Sequence, residues 1–397
     1  MTEPKNPFKF FFQYLLSISW QKQNKGFTLT ELLIAVFTSA IVISALLTAM
    51  VQILQSDRRE NQRTQVQQQV QSALNYINQD LKQAVYVYDT SEVAQYLPDL
   101  SAQNATPVLV FWKSKSIPDN QLNYKKTDCA NTFNAGTPTA QEQLVRCQNL
   151  LLKRTQYVLV AYYQSTNNSN TWKGNSRIIR YELPKFSNTN LNQNNLTQKL
   201  QITSGYVDPS EINNDFTNWP INDTGNNLQT ANGGRPTANS GQLPVLVDFI
   251  DSPDNDYFKE TENKDFVDGT NEIETTRLDC SELPRIKDPD NPSQFIDRYE
   301  RIPPNNNDVS NSENGVIPNF IPFTSNSFYA CVRTTNNNNS LVGTKQNVAI
   351  YIRGNELTKI EMDRIRNEPI KEKAKVLRNT FLPSVQTQIT IGGIIDK

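Results

Sequence analysis

Histidine is missing from all 397 residues. That removes the commonest general base, the usual member of a nucleophile triad and the commonest zinc ligand. Carboxylates remain as the main route to acid–base chemistry. Cysteine is scarce: Cys129, Cys147, Cys280 and Cys331 form no C-x-x-C pair, so neither a zinc site nor a thioredoxin-like redox motif is expected. Charge of one sign is not in excess either. The 39 basic and 40 acidic residues leave a formal net charge of -1, which gives no reason to expect nucleic acid as a partner. Neither G-x-x-x-x-G-K-[ST] nor G-x-S-x-G occurs, so nucleotide cycling and hydrolase chemistry lack a motif, and no cofactor is implied. Hydrophobic residues make up only 37%, and one stretch near the N-terminus takes a disproportionate share. The remainder, rich in Asn, Gln, Ser and Thr and without an internal repeat, reads as a loop-rich domain.

The apolar stretch is residues 27–54, FTLTELLIAVFTSAIVISALLTAMVQIL. At about 1.5 Å per residue it can cross a hydrocarbon core of roughly 30 Å. It contains no proline or glycine, so a continuous helix is expected, and Glu31 is its only ionisable side chain. A secretory signal peptide has a shorter apolar run followed by a small-residue cleavage site. A plain signal anchor fits the length but leaves Glu31 unexplained. A carboxylate costs about 2.5 to 3.5 kcal/mol at the bilayer centre, less near the interface, and Glu31 has no counter-charge within the segment. Lys5, Lys9, Lys22 and Lys25 precede the span and Arg58, Arg59 and Arg63 follow it, so charge does not set its orientation.

Beyond Leu54 the chain turns polar without a helix breaker. Val66, Val70, Ala73, Leu74, Ile77, Leu81, Ala84 and Val85 recur in steps of three and four. This predicts an amphipathic continuation over 55–90, docked by one stripe onto a domain; it is too short to favour a coiled coil.

From about Pro98 the pattern becomes strand-like. Strands are expected at Pro107 to Trp112, Gln156 to Tyr163, Arg177 to Leu183, Leu200 to Val207, Leu243 to Ile250, Ser327 to Arg333, Gln346 to Arg353 and Ser384 to Ile395. A short helix is expected from about Leu357 to Asn367. Strands and helices do not alternate, so the expectation is an α+β fold: a long N-terminal helix packed on an antiparallel β-sheet domain, 91–397, with long polar insertions near 187–241 and 251–326.

Four cysteines allow three disulfide pairings, or none. Joining neighbours, Cys129 with Cys147 and Cys280 with Cys331, closes the smallest loops, and an exported domain favours disulfides over free thiols. Asp251, Asp254, Asp256, Asp265 and Asp268 are calcium-ligand candidates, but their spacing is not that of an EF-hand, and solvated loop acids are the simpler reading. Tyr162 and Tyr163 are candidates for stacking on sugars, with core packing as the default.

The string Lys25-Gly26-Phe27-Thr28-Leu29-Thr30-Glu31-Leu32-Leu33-Ile34-Ala35, set directly before the apolar helix, resembles the prepilin processing site of type IV pilins and type II secretion pseudopilins. The resemblance implies a pilin-like fold and a leader, 1–26, removed by a prepilin peptidase between Gly26 and Phe27. Phe27 would become the N-methylated terminus. Glu31 would occupy the family's acidic position and offset the new amine during assembly. The implied partners are other pilins or pseudopilins, an inner-membrane platform and a cytoplasmic assembly ATPase. The implied location is single-pass in the plasma membrane, with the C-terminal domain outside. A finer resemblance, to the pseudopilins of hormogonium polysaccharide secretion in filamentous cyanobacteria, covers several further strings. They are Asp57-Arg58-Arg59-Glu60, Ala73-Leu74-Asn75-Tyr76-Ile77, Asp80-Leu81, Ala84-Val85-Tyr86-Val87-Tyr88-Asp89, NVAIYIRGN at 347–355, and Leu382-Pro383-Ser384-Val385-Gln386-Thr387. It implies polysaccharide as a further partner and a role in secretion and gliding motility. Two other classes are carried beside this one: a pilus-tip adhesin whose loops between 187 and 326 bind a glycan, and a membrane-anchored enzyme using carboxylates there.

Overall fold

The computed structural model describes residues 28–167, 171–211, 215–238, 243–253, 278–288, 291–304, 325–335, 346–368, 380 and 382–392. The chain forms two compact units, 1–61 and 62–397. Helix α1, Leu29–Leu81, begins in the first and ends in the second.

In the first unit every described residue from 28 to 61 is exposed, and its large hydrophobic side chains, from Leu29 to Leu54, are Leu, Ile, Val, Phe and Met. The segment is long and apolar enough to cross a membrane. Three of its hydroxyls bond carbonyls of the helix. Thr38 Oγ1 donates to the Ile34 carbonyl at 2.9 Å, Ser39 Oγ to Val36 at 2.8 Å and Thr48 Oγ1 to Ser44 at 2.9 Å, as an apolar surrounding demands.

The second unit is built on two antiparallel meanders. β1 (Ala84–Val87), β2 (Ala105–Ser116), β3 (Thr155–Ser165), β4 (Ser176–Pro184) and β5 (Val245–Ile250) form one sheet in chain order. β6 (Asp297–Ile302), β7 (Phe328–Thr335), β8 (Asn347–Arg353) and β9 (Ser384–Thr390) form the other. Val66, Val70, Ala73, Leu74, Ile77 and Leu81 of α1 are buried in one core with Leu109, Phe111, Val160 and Tyr162 of the first sheet and Phe328, Ala330, Ile350 and Ile352 of the second. The three-and-four spacing of that stripe is therefore a docking face. α1 comes close to β8 because Gly354 follows it: a Cβ there would lie 2.9 Å from both Val66 Cγ1 and Val70 Cγ2.

The first sheet is apolar on both faces, which is why its strands read as nearly continuous apolar runs. Val110, Trp112, Leu159, Tyr163 and Tyr181 point away from α1 and are covered by residues 88–100 and by parts of 202–243. A third cluster is formed by α2 (Lys126–Thr132), α3 (Pro138–Lys153), α4 (Asn188–Leu191) and α5 (Leu196–Lys199). A last helix, α6 (Lys359–Arg366), starts at a capping box between Thr358 and Glu361.

The structure corrects several expectations. α1 ends at Leu81 and not near residue 90; Ala84 and Val85 continue its stripe but belong to β1. Leu200 to Val207 is not a strand: Gly205 turns there at φ +77°, and a Cβ on it would meet the Gly234 carbonyl at 2.8 Å. The insertion near 187–241 contributes α4, α5 and much of the cover on the first sheet. The insertion near 251–326 contains β6, whose charged sequence DRYERI hides a strand with only Asp297, Tyr299 and Ile302 buried. The last strand ends at Thr390, short of Ile395.

Candidate functional site

Gly26 and Phe27 lie outside the described residues; Glu31 lies inside them. The Thr28 amide donates to Glu31 Oε2 at 3.0 Å, the Thr28 hydroxyl donates to the same oxygen at 3.0 Å, and the Glu31 amide donates to Thr28 Oγ1 at 3.3 Å. This is a capping box, which satisfies two N–H groups that open the helix. The signal for it, Thr28-x-x-Glu31, stands in the sequence, so Glu31 caps the helix in addition to the assembly role expected of it. The geometry turns the carboxylate back toward the start of the helix, beside the residue that follows Phe27.

At its other end α1 is held by a buried ionic network. Asp80 Oδ1 accepts from Lys113 Nζ at 2.8 Å, and Oδ2 accepts from Arg180 Nε at 2.8 Å and from Tyr162 OH at 2.6 Å. Arg180 Nη1 donates to Glu182 at 2.7 Å, and Lys115 completes the chain through Glu182. Burial alone would raise the pKa of Asp80; the Lys113 and Tyr162 hydrogen bonds and the Arg180 charge outweigh it and hold the carboxyl below its usual range. Glu182 follows the same logic, with burial opposed by Lys115 and Arg180. Arg63 Nε meets Glu356 Oε2 at 2.8 Å, and Gln62 donates to the Glu356 carbonyl at 2.8 Å, so the docked part of α1 has polar ties at both ends.

The cysteines pair as Cys129–Cys147, joining α2 to α3, and Cys280–Cys331, tying a loop to β7, with no free cysteine. Asp251 is fully buried and paired with Arg353 Nη2 at 2.8 Å and Asn355 Nδ2 at 2.7 Å, which makes it a joint between the sheets and not a solvated calcium ligand. Asp254, Asp256, Asp265 and Asp268 lie outside the described residues. Among the described residues no cluster of three or more metal-ligating side chains occurs. Tyr162 and Tyr163 are buried, so neither offers a ring to a sugar.

An open groove of about 920 Å³ between α3 and residues 208–211 carries the carboxylates Glu142, Asp208 and Glu211. Asp208 and Glu211 bond Lys185 Nζ at 2.6 and 2.9 Å. Against the raising effect of burial, Lys185 and Ser210 hold Asp208 below the usual carboxylate range, the reverse of what a proton donor near neutral pH requires. Comparison with protein-family models, with curated proteins and with solved structures gave no match, so the functional reading rests on these residues and their geometry.

Proposed function

We propose that the chain is a pilin-like structural subunit, a minor pilin or pseudopilin of a type IV pilus-like or type II secretion-like apparatus. The observation that carries this reading is α1 itself. One uninterrupted helix is apolar and exposed over its first half, while its second half presents a single stripe to a two-sheet domain. Such a helix serves one purpose in a membrane and the same purpose in the core of a filament, where neighbouring helices replace lipid. Two disulfides and no free thiol favour an oxidising compartment for the domain. The string before the helix supplies the means of release: cleavage after Gly26 by a prepilin peptidase, methylation of Phe27, and extraction by an assembly ATPase. Polysaccharide secretion with gliding motility is the process we assign to the machine, on the strings around Asp57, Tyr76 and Arg353.

In this reading the charge of Glu31 offsets the amine of Phe27 when the helix leaves the membrane. Glu31→Gln separates that role from helix capping, because glutamine serves in a capping box equally well. The expected result, read by immunoblot of sheared filaments and membranes, is normal cleavage of E31Q, retention in the membrane, and at least tenfold less subunit in filaments. Incorporation at the wild-type level would remove the assembly role of the charge.

A further inference from the structure

We propose that the outer edge of β9 pairs, antiparallel and about Thr387, with β9 of a second copy of this chain. Two sheets have four edges, and on three of them the chain itself occupies part of the edge. On β1, the Gln346 side chain takes both backbone groups of Val87, accepting from its N–H at 2.9 Å and donating to its carbonyl at 2.9 Å. On β5, the Asp251 amide donates to the Arg353 carbonyl at 3.0 Å and the Asn355 amide to the Phe249 carbonyl at 3.0 Å. At the start of β6, the Ile296 amide meets the Ile286 carbonyl at 3.0 Å, Asp297 Oδ1 accepts from the Ile286 amide at 2.6 Å, and the strand carries the charges of Arg298 and Glu300. Natural sheets close or charge their edges in these ways to prevent pairing with other chains.

β9 has none of these devices. Among the described residues its backbone makes no ladder other than the one with β8. Its seven residues, Ser-Val-Gln-Thr-Gln-Ile-Thr, include no charge and no proline. Gln386, Gln388 and Thr390 are exposed.

The occupant follows from the sequence of the strand, which is chemically the same in both directions about Thr387. Antiparallel self-pairing sets Thr387 opposite the partner's Thr387, Gln386 opposite the partner's Gln388, Val385 opposite the partner's Ile389, and Ser384 opposite the partner's Thr390. Every cross-strand pair is then like with like: hydroxyl with hydroxyl, amide with amide, β-branched with β-branched. A shift of two residues, the smallest that keeps the faces matched, sets Thr387 against Ile389 or Val385 and leaves one amide pair in place of two. The contact is isologous, so it closes at two copies.

The two-fold axis stands normal to the sheet and reverses directions within it. The docked part of α1 lies along the sheets, because Val66 through Leu81 share one core. The docked helices of the pair therefore run in opposite directions. If the chain is a filament subunit, as proposed above, the pair joins copies carried by separate filaments or facing membranes, not neighbours along one filament.

The test is disulfide trapping of the full chain in detergent micelles, with copper phenanthroline as oxidant. Thr387→Cys is expected to give a cross-linked dimer. Ser384→Cys and Thr390→Cys are each expected to stay monomeric alone, but to link to one another when mixed. Gln386→Lys with Gln388→Lys on the Thr387→Cys chain opposes lysines in both amide pairs and is expected to cut cross-linking at least tenfold. Gln386→Lys with Gln388→Glu sets opposite charges face to face and is expected to restore it. A monomeric Thr387→Cys chain, Ser384→Cys linking to itself as readily, or indifference to the lysines would overturn the proposal. The assay needs neither processing nor filaments, so its failure is distinct from failure of the subunit reading.

Discussion

Asp80→Ala is expected to destabilise the second unit by about 3 to 5 kcal/mol, the cost of removing one partner of a buried ion pair. The carboxylate accepts three hydrogen bonds from Lys113, Tyr162 and Arg180, on three neighbouring strands. Truncation leaves Lys113 buried without a counter-ion, while Arg180 keeps Glu182. The loss falls where α1 ends, so it loosens the end of the helix on the first sheet as well as weakening the sheet. Urea unfolding of the full chain in detergent, followed by tryptophan fluorescence, measures it; a change under about 1 kcal/mol would mean that the network is not the anchor. The same pair of carboxyls gives the pH dependence. Both folded pKa values lie below the ordinary ones, so their contribution is present above about pH 4, the range of free carboxylates, and is lost as pH falls through the folded values. Asp80→Ala should flatten that acid limb.

Loss of the Cys280–Cys331 disulfide is the second large effect. The bond spans 51 residues of sequence, and the chain-entropy relation gives about 4 kcal/mol for a loop of that size. Cys129–Cys147 spans 18, for which the same relation gives about 3 kcal/mol. Replacing Cys280 and Cys331 by alanine should therefore lower the urea midpoint more than replacing Cys129 and Cys147. The order has a local cause as well. Cys331 packs with Tyr329 and Tyr351 on the face of the second sheet turned away from α1, and the segment from Leu278 to Leu283 covers that cluster. The reverse order of midpoints would show that the long loop is held by other contacts.

What the sequence revealed depended on how a residue's environment marks its neighbours. The stripe from Val66 to Leu81 was readable because one face of a helix meets a core and the other meets water. β2, β3, β4 and β8 were readable because both of their faces are covered, which leaves apolar runs bounded by polar ones. β6 was not, since an edge strand with only three buried residues looks like a charged loop. β1 was hidden for the opposite reason: Ala84 and Val85 fall in step with the helix that precedes them. The segment before Gly205 has strand-like residues but lies as coil over the first sheet, a choice made by the surface it covers. α3 was missed although Thr137 before Pro138 marks its start, Thr137 Oγ1 accepting from the Ala140 amide at 3.3 Å, and Ala140, Leu144, Cys147 and Leu150 recur behind it in steps of three and four. Of the candidate site, Glu31 stood out by being charged among apolar residues, whereas Asp80, one acid in a polar stretch, gave no sign that it would meet Lys113, Tyr162 and Arg180 from distant strands.

The most direct test is the mass of the mature N-terminus, taken by peptide mass spectrometry from native membranes or sheared filaments. The account predicts a peptide that begins at Phe27 with a methylated amine. A chain that keeps residues 1–26, in cells whose other prepilins are cleaved, would contradict it and leave a domain held by an ordinary membrane anchor.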